Sequence, residues 1–255
     1  MAIAVKDLAK MIDHSLLHPT MTDEIIMEGC ELAKKYDVAS VCLKPYSVKA
    51  AKDYLSGTDV MVGSVIGFPH GNSTTEIKVA ETKQACADGA VEIDMVINIG
   101  KALQGDFAFV KEEIRQVNEA AVSGGAILKV IFENDYLTED IIARLCEVCN
   151  EVDVVFVKTS SGYGFVKQGN GFYSYEGATA PHLKLMRRVT DDHIEVKAAG
   201  GVRTLKDLLY VRSLGVTRIG ATATAAILDE AAAILASGRT LEELIPEEVA
   251  IGGGY

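Results

Sequence analysis

Five charged side chains interrupt apolar runs of strand length: Asp13 in MIDHS, Asp94 in EIDMVIN, Lys129 in ILKVIFE, Lys158 in VVFVKTSSG and Lys197 in IEVKAAGG. Burying an ion among strands costs several kcal/mol unless it is paired or put to use. Lys129 fits a structural ion pair as readily as a site. Two lysines on neighbouring strands fit a structural role less well, because they repel, and that repulsion has a chemical use. A lysine amine attacks a carbonyl only when neutral, and a free side chain with a pKa of about 10.4 is almost wholly protonated at pH 7. Burial and a second ammonium a few ångströms away can lower that pKa by about 3 or more. Lys158 and Lys197 therefore read as a nucleophile and its activating cation. Asp94, with Asp13 beside it, would hold the second lysine and relay protons through water.

These residues must be positioned by regular elements. Strand-length apolar runs at 11–14, 39–44, 61–68, 91–97, 127–133, 154–159, 194–199 and 218–221 alternate with segments of helical period. The helices are expected to start near Thr22, Ser47, Thr74, Asp106, Thr138, Thr179, Thr204 and Ala223, and Ser or Thr at several of these positions suits an N-cap. A short lead-in helix is expected near the N-terminus. Eight strand–helix units predict a single-domain (β/α)8 barrel spanning 1–255, with an open doubly wound sheet as the competing architecture.

At the carboxyl end of such a barrel, glycine turns can bring backbone N–H groups to a phosphate. Gly200 and Gly201 in KAAGGVRT, and Gly220 and Thr222 in RIGATAT, lie where the loops after strands seven and eight would place such a site. The stretch 161–177, SGYGFVKQGNGFYSYEG, carries five glycines and five aromatics. It is long for a βα loop, usually about two to six residues. It reads equally as a binding loop and as a surface hairpin. Cys42, on the second strand, is expected at the site without a base partner.

Bulk properties exclude other classes. The formal net charge of −11 argues against non-specific nucleic-acid binding. No apolar run reaches the length of a membrane helix, and charges break up the N-terminal segment where a signal peptide would be apolar. Five cysteines, an odd count, suggest reduced thiols and a cytoplasmic location. His14 and His18 have helical metal spacing but span a strand end and Pro19. The Cys146/Cys149 pair sits on an expected helix, where core packing explains it. No metal or other cofactor is expected.

Taken together, GFPHGNSTTEIKVAE (67–81), VEIDMVINIG (91–100), LKVIFE (128–133), VVFVKTSSG (154–162), VKAAGGVRT (196–204) and RIGAT (218–222) make the chain resemble the deoxyribose-phosphate aldolases, the class I, Schiff-base aldolases of the DeoC type. The resemblance implies a barrel that reversibly cleaves 2-deoxy-D-ribose 5-phosphate to acetaldehyde and D-glyceraldehyde 3-phosphate in deoxyribonucleotide and carbohydrate catabolism. It marks Lys158 as the Schiff-base lysine, Lys197 as the lysine that perturbs it and Asp94 as the proton-relay carboxylate. It places Asp13, Lys129 and Thr159 at the substrate and Gly200 and Gly201 at the phosphate. Tyr255, closing a tail at 250–255, resembles a proton-shuttling terminal tyrosine, and a disordered end reads as well. Thr222 stands near a position that often carries Ser.

Two departures bear on specificity. The family's short stretch after the lysine, of the kind STGFSTGGAT, is expanded here to SSGYGFVKQGNGFYSYEGAT and brings in Lys167. His70 stands where Leu is common. Alternatives are a Schiff-base aldolase for a related deoxy-sugar phosphate or an unphosphorylated aldol, and a catalytically silent phosphosugar-binding barrel. A metal-dependent aldolase fits less well, since His70, His182 and His193 share no ligand spacing. Partners are expected to be small phosphosugars and aldehydes, with assembly into a homo-oligomer left open.

Overall fold

The computed structural model describes residues 2–251. Its strands, in chain order, are β1 (Ile12–Leu16), β2 (Ser40–Leu43), β3 (Met61–Ile66), β4 (Glu92–Val96), β5 (Ile127–Ile131), β6 (Phe156–Lys158), β7 (Val166–Lys167), β8 (Tyr173–Ser174), β9 (Glu195–Ala199) and β10 (Arg218–Ala221). The helices are α1 (Val5–Ala9), α2 (Asp23–Lys35), α3 (Val48–Tyr54), α4 (Thr75–Ala87), α5 (Ile99–Leu103), α6 (Phe107–Ser123), α7 (Glu139–Val152), α8 (Ala180–Val189), α9 (Leu205–Ser213) and α10 (Thr224–Ala236).

Eight parallel strands close into a barrel in the order β1-β10-β9-β6-β5-β4-β3-β2. Closure follows from β1, which pairs with β2 through Asp13–Ser40 and with β10 through Asp13–Gly220, so the open-sheet alternative is excluded. All eight expected strands form, with ends shifted by a few residues. Glu133, at the end of the fifth expected run, turns left-handed with φ 63° and ends the strand geometry early. The expected helix starts hold as well. Thr22, Asp106, Thr179 and Thr204 each accept a backbone N–H of the first turn through the side chain, as N-caps do. Helix α5 was not expected; Asn98 caps it through its side chain.

Apolar side chains between the barrel wall and the helices form the core. Cys146 and Cys149 lie buried in it on α7, the packing role expected of them. His14 and His18 part company: His14 is buried with Nδ1 2.9 Å from the Thr224 hydroxyl, and His18 is exposed beside Thr20. Among the described residues, no helix is long and apolar enough to cross a membrane.

One ion pair outside the barrel braces the strand that carries Asp94. Lys78 on α4 and Glu113 on α6 meet at 2.9 Å with both side chains fully buried. Lys78 also donates to the Val96 carbonyl at 2.8 Å, and Glu113 accepts the Asn98 N–H at 3.0 Å, so the pair ties both helices to the end of β4. Glu113→Ala strands the Lys78 charge and is expected to cost about 3–5 kcal/mol in a denaturant titration. A loss under about 1 kcal/mol would show that the pair is not braced in this way.

Candidate functional site: a lysine over a buried ion cluster

Because residues of one strand face alternate sides, Glu92 and Asp94 on β4 both point into the barrel. The register then sets Asp94 beside Lys129, Lys158 beside Lys197, and Lys197 beside Arg218. The two lysines expected to act together are thus side by side on adjacent strands.

Their amines share one acceptor. Lys158 Nζ and Lys197 Nζ each lie 2.7 Å from Asp94 Oδ2. Lys197 also reaches Asp13 Oδ2 at 2.5 Å. Lys129 lies 3.1 Å from Asp13 and 3.2 Å from Asp94, and it pairs with Glu92. Arg218 closes the cluster against Asp13 at 2.6 Å and Glu92 at 3.1 Å, and Ser40 donates to Asp13 at 2.7 Å. Glu92 and Arg218 escaped the sequence reading. They begin their strands, where a charge looks like an exposed end rather than an interior member.

The charge balance singles out one amine. Three carboxylates (Asp13, Glu92, Asp94) face four cations (Lys129, Lys158, Lys197, Arg218), so the cluster is neutral when a single cation gives up its proton. Burial lowers the Lys158 pKa; Asp94 opposes that and Lys197 adds to it, and the net effect is downward. Burial also acts against the charge on Lys197, but Asp13 and Asp94 more than offset it and raise its pKa. Lys129 is raised for the same reason, by Asp13 and Asp94. Burial would raise the Asp94 carboxyl, and Lys129, Lys158 and Lys197 instead hold it far below the usual carboxylate range. Lys158 is therefore the proton-poor member.

Lys158 is also the member that a ligand can reach. It is only 2% exposed, yet it lines a pocket of about 520 Å3 at the carboxyl end of the barrel. Gly200, Gly201, Gly220 and Thr222, all expected at a phosphate, line the same pocket. Gly200 has φ +80° and packs on Gly177 so closely that a Cβ on Gly177 would fall 2.7 Å from the Gly200 carbonyl oxygen. The turn therefore needs glycine on both sides. Arg203 also lines the pocket; in VKAAGGVRT it stands two residues beyond the glycines, a basic residue that the sequence alone did not single out.

Several expected substrate contacts lie elsewhere. Asp13 and Lys129 are buried in the cluster, outside the pocket lining, and serve as its counter-ions. Thr159 follows Lys158 and so faces away from it; its hydroxyl bridges the Ala199 N–H and carbonyl, each at 3.1 Å, and straps β6 to β9. Cys42 points inward but is covered by Leu17, Val65, Phe68 and Tyr163, and burial pushes its thiol up to about 11. His70 and Lys167 are exposed and outside the pocket lining. Tyr255 lies outside the described residues. No group of three or more His, Cys, Asp or Glu among the described residues is arranged to hold a metal ion.

The 161–177 stretch divides between the hairpin and the pocket wall. Its middle forms the antiparallel hairpin β7–β8, and its ends bring Ser161, Gly162, Tyr163, Phe165 and Tyr175 to the pocket. Tyr163 meets Phe68 edge-to-face at 5.6 Å and Phe165 meets Tyr175 likewise at 5.6 Å, so two aromatic pairs wall the opening.

The chain is similar to known proteins over nearly its whole length. Residues 8–238 match the model of the DeoC/LacD family aldolases. The deoxyribose-phosphate aldolase of Rhodopirellula baltica is 48% identical over 225 residues, 88% of this chain and 89% of that protein. A crystal structure from Coccidioides immitis, described as a candidate deoxyribose-phosphate aldolase, superposes with TM-score 0.82 at 37% identity over 90% of this chain and 87% of the other. The tetrameric deoxyribose phosphate aldolase of Aeropyrum pernix superposes with TM-score 0.79 at 25% identity, covering 89% and 92% of the two chains. With a closed barrel, a proton-poor lysine at its mouth and these relatives, the chain belongs to the DeoC/LacD family of aldolases.

Proposed function

We propose that the chain reversibly cleaves 2-deoxy-D-ribose 5-phosphate to acetaldehyde and D-glyceraldehyde 3-phosphate, through a Schiff base on Lys158. The observation that carries this reading is the position of the Lys158 amine, in the pocket and 2.7 Å from a carboxylate it shares with Lys197. Neutral Lys158 adds to C1 of the open-chain sugar, and the carbinolamine loses water to form an iminium. When the C3 hydroxyl gives up its proton, the C2–C3 bonding pair moves toward the iminium and D-glyceraldehyde 3-phosphate leaves. The enamine that remains takes a proton at C2, and water releases acetaldehyde. Lys197, cationic and held by Asp94, supplies and recovers protons at the carbinolamine. Tyr255, outside the described residues, takes in this reading the proton-shuttling role that the resemblance implies.

Gly200, Gly201, Gly220 and Thr222 hold the phosphate, with Arg203 beside them. At about 1.5–3 kcal/mol for each charge-assisted hydrogen bond, two such contacts make the phosphate worth a factor on the order of 10² or more. 2-Deoxyribose should therefore be cleaved with a kcat/KM lower by that factor than its 5-phosphate. Equal rates would favour an unphosphorylated aldol instead. The tetrameric Aeropyrum pernix relative supports assembly into a homo-oligomer. The five unpaired cysteines support a reducing, cytoplasmic setting.

A further inference from the structure

One buried carboxylate, bonded to the pocket-lining Ser161, takes no part in the cluster beneath Lys158. Glu133 follows β5 in a left-handed conformation, φ 63°, which residues other than glycine seldom adopt. The turn folds its side chain, 1% exposed, back over the segment that follows β6. There the carboxylate accepts the Ser161 N–H at 2.9 Å and meets the Ser161 hydroxyl. Ser161 Oγ in turn accepts the Tyr163 N–H at 2.9 Å. The fit is close, since a Cβ on Gly164 would lie 2.6 Å from Glu133 Cδ. Ser161 and Tyr163 both line the pocket.

We propose that Glu133 sets which way the Ser161 hydroxyl points, and so whether that hydroxyl can donate to the substrate. The proposal rests on the reading that the pocket takes a phosphosugar. A serine hydroxyl has one proton and two lone pairs, and the Tyr163 N–H occupies one pair. When Glu133 is ionised it can only accept, so the Ser161 proton is committed to it. When Glu133 is protonated, its O–H fills the second lone pair and the Ser161 proton turns to the pocket, where sugar and phosphate oxygens accept.

Burial pushes the Glu133 carboxyl up to about 7, against the Ser161 bonds and with help from Asp135. The charged groups that face it are Lys158 from β6 and Asp135 from its own turn, with Tyr136 nearby. A raised carboxyl is protonated below about pH 7 and ionised above, so substrate affinity falls as the pH rises through that value. Lys158 and the substrate phosphate titrate in every variant, so the difference between enzymes carries the test.

Glu133→Gln fixes the protonated pattern, because its amide oxygen accepts the Ser161 N–H and its NH2 donates to Oγ. In the wild type, KM for 2-deoxyribose 5-phosphate should rise roughly fivefold more between about pH 6 and pH 8 than in Glu133→Gln, the worth of one hydrogen bond. Apart from the titration common to all three enzymes, Glu133→Gln should follow the low-KM course and Ser161→Ala the high-KM course across the range. Difference infrared spectra, which need no turnover, should show a protonated carboxyl band in the wild type that vanishes above about pH 7 and is missing in Glu133→Gln. Parallel KM profiles in wild type and Glu133→Gln would overturn the proposal, as would a wild-type profile kept by Ser161→Ala. If Glu133→Gln does not fold, Ser161→Ala decides alone. Absence of wild-type turnover with an intact infrared titration would count against the substrate reading and not the Glu133 switch.

Discussion

Lys158→Ala is expected to abolish cleavage of 2-deoxyribose 5-phosphate, a loss on the order of 10⁵-fold or more in kcat, with the barrel still folded. The size follows from the role, since removing a covalent nucleophile removes the pathway rather than one contact. That the fold survives follows from the charge balance. Without Lys158, the three carboxylates Asp13, Glu92 and Asp94 still face Lys129, Lys197 and Arg218, so no buried charge is left uncompensated. Activity and thermal unfolding should therefore separate in this variant. Substantial turnover by Lys158→Ala would refute the assignment.

Lys197→Met should act in a different way. It removes a cation from the middle of the cluster and leaves Asp94 with Lys129 and Lys158. Three carboxylates then face two permanent cations, and the missing charge is supplied by protonating Lys158. In the wild type, burial and Lys197 both lower the Lys158 pKa. The variant loses the second influence and leaves Asp94 less neutralised, so the pKa moves up. A higher pKa means less neutral amine at pH 7, so the acid limb of the rate profile moves to higher pH. Together with the loss of a proton donor, commonly worth about 10²–10⁴, kcat at pH 7 should fall on the order of 10³-fold and recover in part as the pH is raised. An unmoved profile would mean that Lys197 does not control the nucleophile.

What could be read from the sequence was what is local. Apolar runs and N-cap residues gave the strands and helix starts, because burial of a strand and capping of a first turn depend on neighbours in the chain. The lysines at 158 and 197 stood out because an apolar run tolerates a charge only for a reason. Thr159 could have been excluded on the same local grounds, since it follows an inward residue and must face outward. Other features were hidden because they depend on register and loop path. Glu92 and Arg218 join the cluster only when their strands are aligned. Cys42 is covered only because Tyr163, more than a hundred residues away, lies over it with Phe68. The Glu133–Ser161 contact joins the ends of two neighbouring strands through a left-handed residue that LKVIFE does not announce.

The most direct measurement is borohydride reduction of the wild-type enzyme in the presence of acetaldehyde, followed by peptide mass mapping. The peptide that carries VVFVKTSSG should gain the mass of one N-ethyl group at Lys158, while Lys129 and Lys197, whose amines are held charged by Asp13 and Asp94, stay unmodified. An unlabelled protein, or a label on Lys197 in place of Lys158, would contradict the assignment of the neutral amine.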